Sequence, residues 1–281
     1  MNSFIFQPNN LLIMNLRTIS SLLLLTGIQI HLYAQNSEIA YSDKTDQSYD
    51  IVQTQINSDT DLPRKESPNS ICNRGVRKFQ KSDYQGAIAD YDLVLEIDPK
   101  NTNALFNRAN AKMAIQDHKG ALADYSLVIE IEPSDKVAYL HRGLTKLEIG
   151  QHKKAIKDFN LALELDKNYI EAILSRGMAK SKNNHFEDAI KDFKLVLRND
   201  PQNKNAYHQM ALAKMGMGNY VGAKKDLSIV IEIDPQNAEA FYQRGVAFFD
   251  GGSRKKACLD WKTAQQLGHP LAKLAIQKYG Q

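Results

Sequence analysis

The sequence predicts an all-α protein, an α-α superhelix (solenoid) of six helix–turn–helix repeats closed by a C-terminal capping helix. Three observations predict it. A segment opening on alanine returns every 34 residues: AIADYDLVLEIDP from Ala87, ALADYSLVIEIEP from Ala121, AIKDFNLALELD from Ala155, AIKDFKLVLRNDP from Ala189, AKKDLSIVIEIDP from Ala223 and ACLDWKTAQQLG from Ala257. Within each copy the apolar residues fall at helical spacing and form one stripe. Pro99, Pro133, Pro201 and Pro235 close four of the copies, and the residue before a proline avoids helical angles. A fixed period of this length marks a stacked array whose units cannot bury their apolar stripes alone.

Residues 1–34 contain one charged residue, Arg17, and read as a signal peptide. From Met14, itself a candidate start, the segment runs through an apolar stretch from Ile19 to Ala34, after which cleavage is expected. Gln29 and His31 interrupt the stretch and argue against a retained membrane anchor. No cysteine lies near Ala34 to carry a lipid. Residues 35–67 hold seven acidic and three basic residues among Ser, Gln and Thr, with no sustained apolar period. They read as a disordered acidic linker.

The repeats occupy 68–101, 102–135, 136–169, 170–203, 204–237 and 238–270, and 271–281 reads as the capping helix, with Pro270 at its start. In the second copy Asn101 offers an N-cap, and Ala104, Leu105, Arg108, Ala109 and Lys112 share one face of a first helix. The stretch QDHKG breaks that helix before Ala121 opens the second. Small residues stand where helices must approach closely: Gly75, Ala109, Gly143, Gly177, Ala211 and Gly245 in the first helices, and the six alanines in the second.

A 34-residue helix–turn–helix with these small residues, an aromatic four positions after the second-helix alanine and a closing proline resembles the tetratricopeptide repeat. The resemblance covers residues 68 to about 270. It implies a scaffold that holds a protein or peptide on its concave side. The family's best-known clamp grips a chaperone C-terminal carboxylate with lysines and asparagines. Here only Asn110 matches, and the lysine column reads Cys72, Phe106, Leu140, Leu174, His208, Tyr242, so that ligand is not expected.

Three columns depart from the family pattern. An aspartate, Asp90, Asp124, Asp158, Asp192, Asp226 or Asp260, interrupts every second-helix stripe. The first helices carry Arg74, Arg108, Arg142, Arg176 and Arg244, with Lys78, Lys112, Lys146, Lys180 and Lys214 four residues on. Met210 breaks the Arg column where Lys214 remains, and Phe248 breaks the Lys column where Arg244 remains. The expectation is a ladder of half-buried ion pairs that sets the stacking register, formed either within a repeat or across to the next.

No catalytic, cofactor or metal site is expected. The histidines lack HExxH spacing or a nucleophile partner, and GMGNYVG from Gly216 has the wrong glycine spacing for a dinucleotide loop. Residues 68–281 carry a net +7, but the basic columns face the aspartates and no basic face interleaved with stacking aromatics emerges, so nucleic acid is not expected. Cys72 and Cys258, in the first and last repeats, are too far apart for a disulfide. The expected function is a non-catalytic scaffold of the bacterial cell envelope, exported to the periplasm or beyond, with no membrane span after signal cleavage. The alternative is an accessory module of an envelope enzyme or transporter that binds a small ligand. If the family arrangement holds, the partner face presents Phe106, Asn107, Asn110, Leu140, His141, Leu144, Leu174, Met178, His208, Leu212 and Tyr242. The Leu and Met positions serve either a partner or packing between repeats.

Overall fold

The computed structural model describes residues 66–279. The signal peptide expected over 1–34, and the linker over 35–67 up to its last two residues, lie outside the described residues. Thirteen helices follow one another among the described residues, with no strand: α1 Pro68–Gln80, α2 Tyr84–Ile97, α3 Thr102–Ala114, α4 His118–Ile131, α5 Lys136–Glu148, α6 His152–Leu165, α7 Ile170–Lys182, α8 Phe186–Asn199, α9 Lys204–Gly216, α10 Tyr220–Ile233, α11 Ala238–Asp250, α12 Arg254–Gln266 and α13 Ala272–Tyr279. Odd numbers up to α11 are first helices of a repeat and even numbers are second helices.

The chain divides into two compact units at Gly120 and Ala121. In the first, α1 packs on α2 and α3, and α2 on α3. In the second, every helix from α5 to α13 packs on its successor, and the first helices α5, α7 and α9 also meet in order. First helices therefore line one side of this unit.

Local sequence sets the hairpins. Asn101, Asn203 and Asn237 cap α3, α9 and α11 by accepting from the amides of Ala104, Ala206 and Ala240 at 2.9–3.0 Å. Asp135 does the same for α5, satisfying amides that a helix start leaves unpaired. The turn between first and second helices needs one residue at positive φ. Ser82, Gln116 and Asn184 adopt it at 61–64°, and Gly150, Gly218 and Gly252 supply it elsewhere, at lower steric cost. The aspartate before a closing proline has its own task. Asp98, Asp200 and Asp234 accept from the amides of Lys100, Gln202 and Gln236, and Asp166, followed by Lys167, accepts from Asn168. These turns aim the chain into the next first helix.

Packing is close between the two helices of one repeat. A methyl group added at Gly143 or Gly177 would lie 2.6 Å from the ring of Phe159 or Phe193, both fully buried. Gly75 faces Tyr91 at the same distance, and Gly245 faces Trp261 at 2.5 Å. The same offset sets Ala211 against Leu227, a residue without a ring. At the end of the array α13 buries Ala272 and Ala275. Its Tyr279 closes over Phe249 at 4.8 Å and Trp261 at 6.2 Å between ring centroids.

Overpacking at these contacts gives a direct test. Gly177→Ala should lower unfolding free energy by about 1–3 kcal/mol in urea denaturation. Adding Phe193→Leu to it should cost less than the two single changes together, because the smaller side chain makes room for the methyl group.

Candidate functional site

Charge inside the array is arranged in rungs. Arg142 meets Asp158 through Nε at 3.0 Å and Nη2 at 2.9 Å, and Lys146 Nζ adds a third contact at 2.6 Å. Arg176 and Asp192 repeat the fork at 2.9 and 2.7 Å, with Lys180 at 2.8 Å. Arg244 binds Asp260 at 2.8 Å through both nitrogens. In the first unit Arg74 donates twice to one oxygen of Asp90, at 3.1 and 2.8 Å, and Lys78 holds the other at 2.8 Å. Asp90, Asp158 and Asp192 are only 2% exposed. Each of these carboxylates is thus paired within its own repeat, and the forked guanidinium geometry suits a buried site.

The arginines also reach backward. Nη1 of Arg142 donates to Ser126 Oγ at 3.3 Å, that of Arg176 to Asn160 Oδ1 at 3.0 Å, and that of Arg244 to Ser228 Oγ at 3.0 Å. In the first unit Arg108 binds Asp92 at 2.6 Å. Each of these acceptors lies on the preceding second helix, so Arg142, Arg176 and Arg244 each hold two second helices at once. Asp124 is buried like the other aspartates.

Repeat five is built differently. Met210 replaces the arginine and is buried, leaving Asp226 to Lys214 at 2.5 Å. Where the other repeats place Asp92, Ser126, Asn160 or Ser228 to receive the arginine, this junction has Lys194. Its charge acts on Asp226 from the preceding second helix. Burial nevertheless pushes the Asp226 carboxyl above the ordinary value, against the pull of both lysines. For Asp90 burial also acts upward, but hydrogen bonds from Arg74 and Lys78 outweigh it and hold the carboxyl below that value. An arginine fork and a lone lysine are not equivalent partners for a buried acid.

The expected partner face is only partly open. Phe106, Leu140, His141, Leu144, Leu174 and Tyr242 are buried, the three leucines within one core cluster of the second unit. Asn107 and Asn110 in the first unit, and Met178, His208 and Leu212 in the second, are half-buried and retain surface. His141 lies against Tyr125 at 5.8 Å between ring centroids, and burial lowers its pKa to about 4, so it is neutral near pH 7. Burial also lowers His208, while Glu239 opposes the shift.

A polar cluster at the end of the second unit was not foreseen. His269 Nε2 meets Glu239 at 2.8 Å, Gln243 donates to the same carboxylate at 2.6 Å, and the His269 ring stacks on Tyr242 at 4.1 Å. The cluster ties the approach to α13 onto α11. The signal lay in His269 itself, which stands in the column that Pro99, Pro133, Pro201 and Pro235 hold in other repeats. Among the described residues no group of three or more His, Cys, Asp or Glu side chains could hold a metal ion. No helix among them is long and apolar enough to cross a membrane.

Tandem helical hairpins, stacked through buried acid–base rungs, define a helical-repeat protein. Two of these repeats, residues 137–169 and 170–203, match the family model described as Tetratricopeptide repeat. Among solved structures the chain is similar to MamA, at 25% identity and a TM-score of 0.54 over 59% of this chain and 96% of that one. A tetratricopeptide repeat protein from Parabacteroides merdae ATCC 43184 shares the fold at 20% identity and a TM-score of 0.62, covering 89% and 99%. YrrB, described as having an unusual peptide-binding site, shares it at 23% identity and a TM-score of 0.53, covering 66% and 97%. No curated protein matches.

Two outcomes follow from the rungs. Asp158→Ala should destabilise the array by about 3–5 kcal/mol, the loss expected when a buried charge pair is broken from one side. The exposed Lys167→Ala should stay within about 0.5 kcal/mol of the parent in the same denaturant titration. For Asp226 the raised value means that the folded chain binds this proton more tightly than the unfolded chain. Its ionised form therefore weakens folding at neutral pH, and the penalty disappears as pH falls through the folded value. Met210→Arg with Lys194→Ser should install the missing fork and lower the Asp226 titration seen by carboxylate NMR.

Proposed function

We propose that this protein is a non-catalytic scaffold that holds a protein or peptide segment against its first helices. One observation carries the reading: the residues of the expected partner face that keep surface, Asn107, Asn110, Met178, His208 and Leu212, are polar but uncharged, or apolar. Asn107 and Asn110 supply amide groups in the first unit, and Met178, Leu212 and neutral His208 do so for apolar contact and hydrogen bonding in the second. Side-chain amides satisfy an extended peptide backbone, and Met and Leu accept its apolar side chains. The basic columns that would favour an acidic ligand are instead held by buried aspartates. The likeness to YrrB, whose description names a peptide-binding site, agrees with a peptide ligand.

We place this scaffold in the bacterial cell envelope, on the strength of the apolar run from Ile19 that precedes Ala34. A signal of that layout sends a chain out of the cytoplasm, where its partner would be another envelope protein.

Co-purification from envelope extracts tests the groove. The full chain should retain specific partners, and Asn107→Asp with Asn110→Asp, or Met178→Lys with Leu212→Lys, should weaken them by about tenfold, the loss of one good anchor. Unchanged partners for both pairs would remove the first-helix assignment. Heat release with sugars or short peptide fragments, in the absence of any retained protein, would instead favour the small-ligand reading.

A further inference from the structure

The second helices carry a feature that neither the core nor the first-helix face uses. In the unit from Ala121 onward, one position per repeat places Leu127, Leu161 and Leu195 on the surface, 37–42% exposed. Ile229, half-buried, holds the same position in α10. One turn on, Leu165 and Ile233 are exposed at 45% and 37%. Scattered surface leucines are ordinary, but a column of them kept over successive repeats forms a stripe.

The charges beside this stripe have a pattern. On α6 the first half of the exposed face bears Lys153, Lys154 and Lys157, and the second half bears Glu164. On α10 Lys225 precedes Ile229 and Glu232 follows it. On α8 the order is reversed. Glu187 and Asp188 stand at its start, where Lys191 offsets one of them through a 2.8 Å ion pair, and Arg198 stands at its end. The starts of the three helices thus read positive, negative, positive, and their ends read negative, positive, negative.

We propose that the second-helix face of this unit is a self-association surface. On it a second copy of this chain seats by two-fold symmetry, with α6, α8 and α10 each lying antiparallel on its own counterpart. A two-fold contact is isologous, so every helix meeting its own copy must be complementary to itself. A helix that changes sign along its length meets that condition only when antiparallel. Parallel pairing sets Lys153, Lys154 and Lys157 against the positive start of another α6 or α10. Sliding by one repeat sets the positive start of α6 on Arg198 at the end of α8. The reversal on α8 therefore rejects parallel seating and the slide by one repeat, while the leucine stripe supplies the apolar area. Surface charges of this kind add little affinity, and like-charge contacts exclude wrong arrangements. The first helices of both copies stay open, so the contact does not depend on the groove proposed above.

Sedimentation velocity on the full chain tests the arrangement. The parent should form a dimer. Leu161→Lys with Leu195→Lys should raise its dissociation constant by at least about tenfold, with helical circular dichroism unchanged. Glu164→Lys alone should weaken the dimer, and adding Lys153→Glu with Lys154→Glu to the same chain should restore it, because the helix is then negative at its start and positive at its end and is again complementary to an antiparallel copy of itself. These exposed charge changes keep the test decisive if the lysine-for-leucine chain fails to fold. A monomeric parent, a dimer indifferent to Glu164→Lys, or a swap that gives no recovery would each overturn the proposal.

Discussion

A guanidinium that grips two second helices at once is the contact on which the rest of this array depends. The buried aspartate explains why. Removed from water, a carboxylate is tolerated only with good partners, and Arg142, Arg176 and Arg244 provide them in forked geometry. The remaining nitrogen reaches the preceding repeat at Ser126, Asn160 and Ser228. Such pairs add little over apolar side chains of the same shape, yet a misplaced repeat would strand a charge in the core. The rungs therefore act on register more than on depth of stability. The rest of the core cannot do this alone, since Ala155 and Ala189, or Phe159 and Phe193, are nearly interchangeable from repeat to repeat.

Repeat five shows what the rung requires. Losing the arginine at Met210 coincides with a lysine at 194, in the very place that elsewhere receives the arginine. The cation has moved from the first helix to the preceding second helix, so Asp226 keeps a positive neighbour across the junction. What it loses is the fork. In a stacked array stability is a sum of local interfaces, and opening begins where an interface is weakest. In the α9–α10 hairpin the acid is held less well than in the forked rungs.

The fold was legible in the sequence because each signal was repeated. One helix boundary drawn from Asn101 or Pro133 is a weak inference, but six copies in phase cancel local ambiguity. The aspartate and arginine columns were legible for the same reason, and only the choice between pairing within a repeat and across repeats needed coordinates. The arginines do both, which a search for one partner per charge does not anticipate. The backward acceptors were harder to see because Asp92, Ser126, Asn160 and Ser228 share a role without sharing a residue type. The first-helix face was the least legible. Leu140, Leu174 and Tyr242 stand in the same column as half-buried His208, and sequence position alone does not say how closely the next helix covers each one. The Glu239–His269 contact escaped because it lies where the period ends.

Segregation of charge follows from this architecture. Most basic side chains of the first helices are drawn into the rungs, and Asn107, Asn110, Met178, Leu212 and neutral His208 keep surface beside them. Under the proposed function, a ligand there is selected by shape and backbone hydrogen bonding rather than by net charge. The second helices point their remaining lysines and glutamates outward, where signs can be ordered from repeat to repeat at little cost to folding. The inner columns make the repeats stack in one register, and only because that register is fixed can an ordered row of surface charges on successive helices mean anything to a second molecule.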